Sequence, residues 1–249
     1  MTDEDVWIAD DTYDEIDSEE PEVVTNAVRL VNVSRKYSIG VREIEALRDV
    51  TLAVKMNEFV AISGPSGSGK TTLLNIIGAI DHASEGRVFV MDVPIGDYDE
   101  SFRATFRLAN TGFIFQSYNL ISTLTALENV MFPMQLSDKP LPEISADALK
   151  LLKKIGLDDR VDHLPWQLSS GEQQRVAIAR AMANDPPIIL ADEPTANLDS
   201  VSANMVRDLL RELHSHGKAV IVMTHDKHII NTPGARHLKM ADGELAIDV

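Results

Sequence analysis

Gly-Pro-Ser-Gly-Ser-Gly-Lys-Thr-Thr, residues 64–72, is the stretch that decides the fold. It fits the phosphate-loop pattern Gly-x-x-x-x-Gly-Lys-[Ser/Thr] at every position. An apolar run of strand length, 58–63, precedes it, and a helix-like run, 72–79, follows it. Glycines let the backbone turn tightly and bring its N–H groups close to phosphate oxygens, and a helix N-terminus attracts anions. This context argues against a chance glycine-rich turn and predicts a phosphate site in an α/β fold.

The side chains of this loop suit a nucleotide triphosphate with Mg²⁺. Lys70 supplies a point charge for the β- and γ-phosphates, and the Thr71 hydroxyl can ligate Mg²⁺. We therefore predict ATP and Mg²⁺ as cofactors. The predicted ATP contacts in this stretch are Gly64, Pro65, Ser66, Gly67, Ser68, Gly69, Lys70, Thr71 and Thr72.

A second motif places two adjacent carboxylates, Asp192 and Glu193, at the end of an apolar strand. α/β folds bind ligands at the carboxyl ends of parallel strands. Asp192 is predicted to bind Mg²⁺ beside Thr71, and Glu193 to orient and deprotonate the water that attacks the γ-phosphate. A solvated turn is the alternative, because Asp-Glu-Pro also suits a turn. The presence of a phosphate loop in the same chain favours the catalytic interpretation.

The remaining apolar runs favour a parallel sheet. Continuous runs at 111–115, 187–191 and 219–223 are typical of strands covered on both faces, and 28–33 and 50–54 alternate like edge or sandwich strands. The predicted fold class is α/β: a P-loop NTPase-type, mostly parallel sheet flanked by helices. An antiparallel β portion is predicted near the N-terminus, and an inserted helical subdomain at about 117–184. Within this subdomain the helical pattern runs from 124 to 156 and is broken by Pro133 and by 139–142.

Charge divides the chain into a tail and a body. Residues 1–22 hold 11 Asp or Glu and no Lys or Arg, whereas the remainder holds 28 acidic and 23 basic side chains. Such acidic runs are usually solvated, so we predict a disordered extension at 1–25 and a folded domain at 26–249. The alternative is a docking or autoinhibitory arm anchored by 6–8 and Tyr13. The absence of a basic stripe argues against a nucleic-acid partner.

Residues 168–175, Leu-Ser-Ser-Gly-Glu-Gln-Gln-Arg, resemble the signature sequence of ABC-type ATPases. The resemblance extends from about Val28 to the end of the chain. Independently of this resemblance, Ser169 followed by Glu172 predicts the N-cap of a helix. The N–H groups and the dipole at such a helix start also attract an anion. Family members usually have Leu-Ser-Gly-Gly-Gln, so this chain departs from the pattern at Ser170 and Glu172.

The resemblance implies a homodimer with two ATP molecules at its interface. Each subunit's Ser169, Gly171 and Glu172, together with Asp199 of the D-loop, would contact in trans the ATP held by the partner. Binding of ATP would close this dimer and hydrolysis would release it.

Three further residues match smaller family motifs. Gln116 follows a buried strand and resembles the Q-loop glutamine, which senses Mg²⁺ and the γ-phosphate. His225 resembles the switch histidine, which supports Glu193 and the attacking water. Tyr37 lies where an aromatic ring stacks on adenine in this family, although a core tyrosine is the alternative. With Lys70 and Glu193, the resemblance thus implies that Gln116 and His225 are catalytic, and that Gln116 joins Thr71 and Asp192 at Mg²⁺.

Within the family, the closest likeness is to ATPases of lipoprotein-release, macrolide-export and cell-division complexes. It rests on 113–121, 124–130 and 192–200. The likeness implies an ATPase subunit that powers an integral membrane permease. Residues after Gln116, including Tyr118, Asn119 and Leu120, would face a groove for a permease helix.

Other functions are left open by the same likeness. A non-transporting mechanotransmission ATPase and a weakly hydrolysing nucleotide-dependent scaffold are both compatible with it. A DNA-acting ATPase is disfavoured, because only 98 residues separate Lys70 from Ser169. That interval holds neither coiled-coil heptads nor cysteines.

The sequence also bears on the compartment. The chain has no cysteine, which fits a reducing compartment. No apolar run reaches the roughly 18–20 residues of a membrane span, and the acidic N-terminus has no signal-peptide pattern. The expected location is cytoplasmic, peripheral on the inner face of the cell membrane through the permease.

Overall fold

The computed structural model describes residues 26–40, 42–137 and 139–246. The acidic extension 1–25, predicted to be disordered, lies outside the described residues. The strands are β1 (Asn26–Ile39), β2 (Arg42–Lys55), β3 (Phe59–Ser63), β4 (Glu85–Val90), β5 (Val93–Pro94), β6 (Thr111–Ile114), β7 (Ile188–Asp192), β8 (Ala219–Met223), β9 (Arg236–Ala241) and β10 (Glu244–Ala246). The helices are α1 (Lys70–Ile77), α2 (Glu100–Asn110), α3 (Ala126–Met134), α4 (Leu141–Lys154), α5 (Ser170–Ala181), α6 (Ser200–Ser215) and α7 (Lys227–Ile230).

A six-stranded sheet in the order β10-β9-β3-β8-β7-β6 forms the centre of the domain. All its neighbouring strands pair in parallel except the edge pair β9 and β10. Alternate residues of β7 face opposite sides: Ile188 and Leu190 pack in one core with α1, while Ile189 and Ala191 pack in a second core with α5 and α6. Burial on both faces explains the continuous apolar sequence, and the predicted mostly parallel sheet is confirmed.

A second sheet, in the order β2-β1-β4-β5, is antiparallel throughout. β1 and β2 form a long hairpin, and alternate residues such as Leu30, Leu52 and Val54 enter the same core as α1. The antiparallel portion predicted near the N-terminus is therefore confirmed. This core ties the hairpin to the helix that follows the phosphate loop.

The helices between β6 and β7 have a core of their own. Val130 of α3, Leu152 of α4 and Val176 of α5 are fully buried within it. Pro133 does not interrupt α3, which runs through it and ends one residue later, at Met134. A proline in the last turn deletes only one helical hydrogen bond, so the break between helices falls after Met134. The subdomain limits of about 117–184 stay a prediction.

Candidate nucleotide-binding and catalytic site

The carboxyl ends of β3 and β7 and the N-terminus of α1 meet at a cavity of about 830 Å³. This is the edge of a parallel sheet at which α/β folds bind ligands. Residues predicted from separate motifs share its lining, although Thr71 and Asp192 are 121 positions apart. The predicted residues that line it are Ser66, Gly67, Gly69, Lys70, Thr71, Thr72, Gln116, Asp192, Glu193 and His225.

Two glycines shape the phosphate loop. Gly67 and Gly69 have φ values of +79° and +102°, which residues with a Cβ adopt only at a cost. A Cβ on Gly69 would also overlap the carbonyl oxygen of Ala46. Gly69 is the N-cap of α1, which begins at Lys70, two residues before the predicted start. The left-handed glycine turns the chain directly into the helix, so the first residues of α1 line the cavity.

Lys70 is buried within the loop that precedes it. Its Nζ donates to the carbonyl oxygens of Gly64 at 2.6 Å and Pro65 at 2.9 Å. An ammonium group has three donors and no acceptor, so these two bonds leave one N–H for a ligand in the cavity. Gly64 and Pro65 therefore hold the lysine in place.

Thr71 and Asp192 form a pair of oxygen donors at the cavity wall. The Thr71 hydroxyl donates to Asp192 Oδ2 at 2.8 Å. Burial raises the pKa of Asp192 above its ordinary value, against the opposing effects of the Thr71 hydrogen bond and the Lys70 charge. Mg²⁺ prefers hard oxygen ligands, typically one or two from the protein together with substrate phosphates. The donor set at this pair fits that ion.

Glu193 and His225 contact each other at the cavity wall. The backbone of Glu193 is left-handed, with φ of +44°, and its N–H donates to Met223 of β8 at 2.8 Å. Its carboxylate accepts a hydrogen bond from the backbone N–H of His225 at 3.2 Å, and it lies 3.4 Å from Nε2 of the His225 ring. A left-handed glutamate is uncommon and persists only where its surroundings hold it. Here the bond to the neighbouring strand holds the Glu193 backbone, and the His225 backbone N–H holds the carboxylate.

Sequence reasoning missed several residues of the cavity wall, among them Thr195, Arg207 and Asp226. Arg207 donates to Asp226 Oδ2 from Nε at 2.8 Å, and Thr195 donates to the same oxygen at 2.9 Å. Burial opposes ionisation of Asp226, but hydrogen bonds from Arg207, the His228 N–H and Thr195 hold its pKa below the ordinary value. The position of Asp226 directly after His225 was the one available signal, and nothing in the sequence pointed to Arg207.

Arg180 was also missed, and it supports the segment after Gln116. Its guanidinium donates to the carbonyl oxygens of Tyr118 and Asn119. Both residues have positive φ, +60° and +50°, so the arginine secures a backbone of unfavourable conformation. Burial lowers the pKa of Arg180 from its ordinary value.

The residues predicted to act in trans lie outside the cavity lining. Ser169 accepts from the Glu172 N–H at 3.3 Å, and Glu172 accepts from the Ser169 N–H at 2.8 Å. This is a reciprocal capping box at the start of α5, as predicted from the residues alone. The pKa of Glu172 is lowered, chiefly by the Ser169 N–H. The chain therefore does not bring Ser169, Gly171 or Glu172 into its own cavity, whereas Leu198 and Ser200, the neighbours of Asp199, line it.

Asp199 and Gly171 are connected through Ser202. Asp199 caps α6, accepting from the N–H groups of Val201 and Ser202 and from the Ser202 hydroxyl. A Cβ on Gly171 would overlap that same hydroxyl. The two predicted trans segments are thus adjacent and pack against each other.

Tyr37 is placed by other contacts than those predicted. Its hydroxyl donates to Asp81 at 2.6 Å, and the Arg35 guanidinium lies 4.5 Å from its ring centre. The ring lies outside the cavity lining, and one of its faces is covered by the arginine. Adenine stacking on Tyr37 stays a prediction.

Comparisons with known proteins agree with this geometry. A family pattern described as ABC transporter matches residues 47–196. An uncharacterized ABC transporter ATP-binding protein of Thermotoga maritima is 45% identical over 218 residues, which cover 88% of this chain and 93% of the relative. The macrolide export ATP-binding/permease protein MacB of Hyphomonas neptunium is 43% identical over 221 residues, 89% of this chain but 34% of MacB.

A solved structure extends the comparison to the fold. The ATP-binding cassette MJ0796 of Methanocaldococcus jannaschii, solved as a dimer in a post-hydrolysis state with ADP and Pi, matches with a TM-score of 0.84 and 44% identity. The match covers 89% of this chain and 97% of the other. The chain therefore belongs to the ABC transporter family, as an ATP-binding cassette.

Proposed function

We propose that this chain hydrolyses ATP as a homodimer and thereby powers a membrane transporter. One observation carries the proposal. The phosphate loop, the Thr71–Asp192 pair and the Glu193–His225 pair line a single cavity, whereas the capped start of α5 lies outside it. One chain thus offers the residues that bind the triphosphate and activate the attacking water. It also offers a second surface that can complete the partner's site.

The chemistry follows from the charges. Lys70 and the N–H groups of the loop and of α1 neutralise and orient the phosphates. Thr71, Asp192 and Gln116 would hold Mg²⁺, which supplies further charge neutralisation on the phosphate oxygens when bound. Glu193 accepts the proton of the attacking water, because its carboxylate borders the cavity, and His225 positions that carboxylate through the contacts at 3.2 and 3.4 Å.

The homodimer completes each site. Ser169 and Gly171 of one subunit would approach the γ-phosphate bound by the other, with the α5 N-terminus directed at the anion. Glu172 and Asp199 would contact the same ATP in trans. ATP then favours the closed dimer because only the closed form makes both sets of contacts. The dimeric form of the MJ0796 cassette supports this arrangement.

A membrane permease is the proposed partner. Among the described residues, no helix is both long and apolar enough to cross a bilayer, and MacB is by name an ATP-binding and permease protein in one chain. A groove of about 290 Å³ adjoins the segment after Gln116 and is lined in part by Phe113, Phe115, Asn119, Ile121 and Phe132. Of the residues expected to face such a groove, Asn119 lines it, while Tyr118 and Leu120 lie outside the lining. The proposed location is the inner face of the cell membrane.

The Glu193→Gln variant tests the proposal. Loss of a general base lowers turnover about 10²–10⁴-fold, while ATP binding persists, so the variant should accumulate as an ATP-bound dimer in size-exclusion chromatography with light scattering. Glu143→Gln, an exposed position on α4, is the matched control and should behave as wild type. A wild type that binds ATP but neither turns over nor dimerises would leave only the scaffold function.

A further inference from the structure

A second groove lies at the opposite edge of the sheet from the nucleotide cavity. It has a volume of about 340 Å³ and is bounded by α4, by the turn from α5 to β7 and by the turn from α6 to β8. These turns lead into the amino ends of β7 and β8, whereas the nucleotide cavity lies at the carboxyl ends of β3 and β7. We call it the basic groove; its polar rim includes Lys139, Lys150, Lys154 and Lys218, and its floor includes Met182 and Leu213.

The rim carries an excess of positive charge. Lys139 and Lys150 share one carboxylate, Asp147, at 3.4 and 3.0 Å. The other two lysines have one carboxylate each, Glu212 for Lys154 and Asp185 for Lys218, at 2.8 and 2.6 Å. Four ammonium groups therefore face three carboxylates, in a chain whose net charge is −16. The exposed ion pairs of Lys139, Lys150 and Lys154 are weak, so these three lysines can exchange partners. Lys218 is largely buried and also donates to the carbonyl oxygen of Pro186, so it stays with its present partners.

The chain contains a segment of complementary chemistry. Residues 1–25 hold 11 carboxylates and no Lys or Arg, together with the apolar anchors Val6, Trp7, Ile8 and Tyr13. Carboxylates suit the lysine rim, and large apolar side chains suit the Met182 and Leu213 floor. We call residues 1–25 the acidic arm.

The point where the acidic arm joins the fold is close to the basic groove. Asn26, the first residue of β1, pairs with Lys55 at the end of β2. The turn after Lys55 contacts α6, because Asn57 O lies 3.1 Å from Nε2 of His214. His214 directly follows Leu213 of the groove floor. Since 25 residues of extended chain reach about 80 Å, the arm can cover the whole groove.

We propose that the acidic arm docks in the basic groove of its own chain, with its carboxylates on Lys139, Lys150 and Lys154 and Trp7 on the apolar floor. Because α4 forms one side of the groove and the α6–β8 turn another, the docked arm links the inserted helices to the central sheet. The partner of this surface is thus a segment of the same molecule rather than a nucleic acid or a lipid.

Tryptophan fluorescence of the full-length chain tests the proposal. The chain has two tryptophans, and Trp166 is 74% exposed, so Trp166→Phe leaves Trp7 as the sole reporter. In this background, the Trp7 emission should be blue-shifted relative to free indole at low salt. It should move to the position of an exposed indole at about 1 M salt, where the Debye length falls to about 3 Å.

Two charge reversals on α4 provide the matched comparison. Lys150→Glu alters the groove rim, whereas Lys153→Glu makes the same change at an exposed position of the same helix outside the groove lining. Lys150→Glu should abolish the blue shift, and Lys153→Glu should retain it. An equal response of the two variants, an exposed-indole spectrum of Trp7 at low salt, or a shift that depends on protein concentration would each overturn the proposal.

Carbodiimide cross-linking gives a readout that does not depend on folding of a variant. Carboxylates activated by the reagent condense with nearby lysines, and mass spectrometry identifies the joined residues. Cross-links from the acidic arm should concentrate on Lys139, Lys150 and Lys154. An even distribution that includes Lys36 and Lys239, which lie outside the groove lining, would contradict docking.

Discussion

The starts of α1 and α5 are both helix N-termini, but their polar groups are satisfied in different ways. At α1 the cap residue is Gly69, which makes no side-chain hydrogen bond. At α5, Ser169 and Glu172 satisfy each other's N–H groups in a capping box. The first helix starts inside the nucleotide cavity, and the second starts outside its lining.

This difference suggests separate roles for the two helix starts: α1 binds ATP, and α5 completes the ATP site of the partner. The α1 end needs a ligand to use its N–H groups, because the helix supplies no cap of its own. The α5 end is stable without a ligand and presents a preformed surface to a partner. We infer that ATP binding to the monomer depends on the cavity that holds the α1 start and not on the α5 start, while turnover depends on both.

Lys70→Ala is expected to have the largest effect on this comparison. The substitution removes the only buried lysine of the loop and leaves Gly64 and Pro65 without its hydrogen bonds. Truncation of a buried hydrogen-bonded charge at an interface costs about 2–5 kcal/mol, so ATP affinity should fall roughly 30-fold to several thousand-fold. Isothermal titration calorimetry on the monomer measures the loss.

Lys153→Ala is the control for Lys70→Ala, since Lys153 is exposed on α4. It should leave ATP affinity unchanged. If Lys70→Ala binds ATP as tightly as wild type, the α1 end is not the binding half of the site.

Ser169→Asp should separate the two halves. Aspartate caps a helix as well as serine does, so the fold and the ATP affinity of the monomer should persist. Its charge would face the partner's γ-phosphate, and opposed like charges cost several kcal/mol, so turnover should fall at least about 100-fold and the ATP-bound dimer should be lost. Steady-state ATPase assays and light scattering report these effects.

Ser169→Asn provides the neutral comparison, because asparagine caps equally well and adds no charge. It should lose far less turnover than Ser169→Asp. Equal activity of the two variants would mean that the α5 start never approaches a phosphate.

The elements that carry a long or motif-bearing pattern could be predicted from the sequence. β7 and β8 were predicted because both faces are buried and the apolar runs are continuous. β9 was missed, since only Leu238 and Met240 of its six residues are buried at about 1% exposure, with Lys239 exposed between them. A strand with three alternating positions gives too short a pattern to recognise.

The same distinction applies to the candidate site, where residues in motifs could be predicted and residues placed by tertiary contacts could not. Lys70, Asp192 and Glu193 belong to motifs, so the sequence could group them, and the cavity brings them together. Arg207 and Arg180 act through backbone and side-chain contacts made across the fold, 19 positions from Asp226 and 62 from Tyr118. Such contacts depend on tertiary packing, which no local pattern encodes.

Asp192→Asn should stabilise the nucleotide-free protein in a pH-dependent way. Burial raises the pKa of Asp192 in the fold, so the folded protein favours the protonated form. The carboxylate therefore weakens the fold as pH rises through the raised pKa, and asparagine avoids this loss. Thermal unfolding should give a higher Tm for the variant at pH 8, with a difference that shrinks toward about pH 4, the ordinary range of the group.

Asp208→Asn at an exposed position of α6 serves as the control and should show no such trend. A Tm difference for Asp192→Asn that is independent of pH would contradict the buried-carboxylate explanation. The same variant should bind Mg²⁺-ATP more weakly, because it loses a charged oxygen beside Thr71.

Ser68→Ala should have the smallest effect on ATP affinity, and it tests a single hydrogen bond at the α1 side of the site. The Ser68 hydroxyl is buried without a hydrogen-bond partner among the described residues, so its removal should leave the Tm of the nucleotide-free protein unchanged or slightly higher. If the hydroxyl meets a phosphate oxygen, its loss should weaken ATP binding by about 2- to 10-fold, the equivalent of one hydrogen bond of roughly 0.5–1.5 kcal/mol. Calorimetry with ATP, alongside thermal unfolding without it, separates the two effects. A lower Tm with unchanged affinity would assign Ser68 to the fold rather than to the ligand.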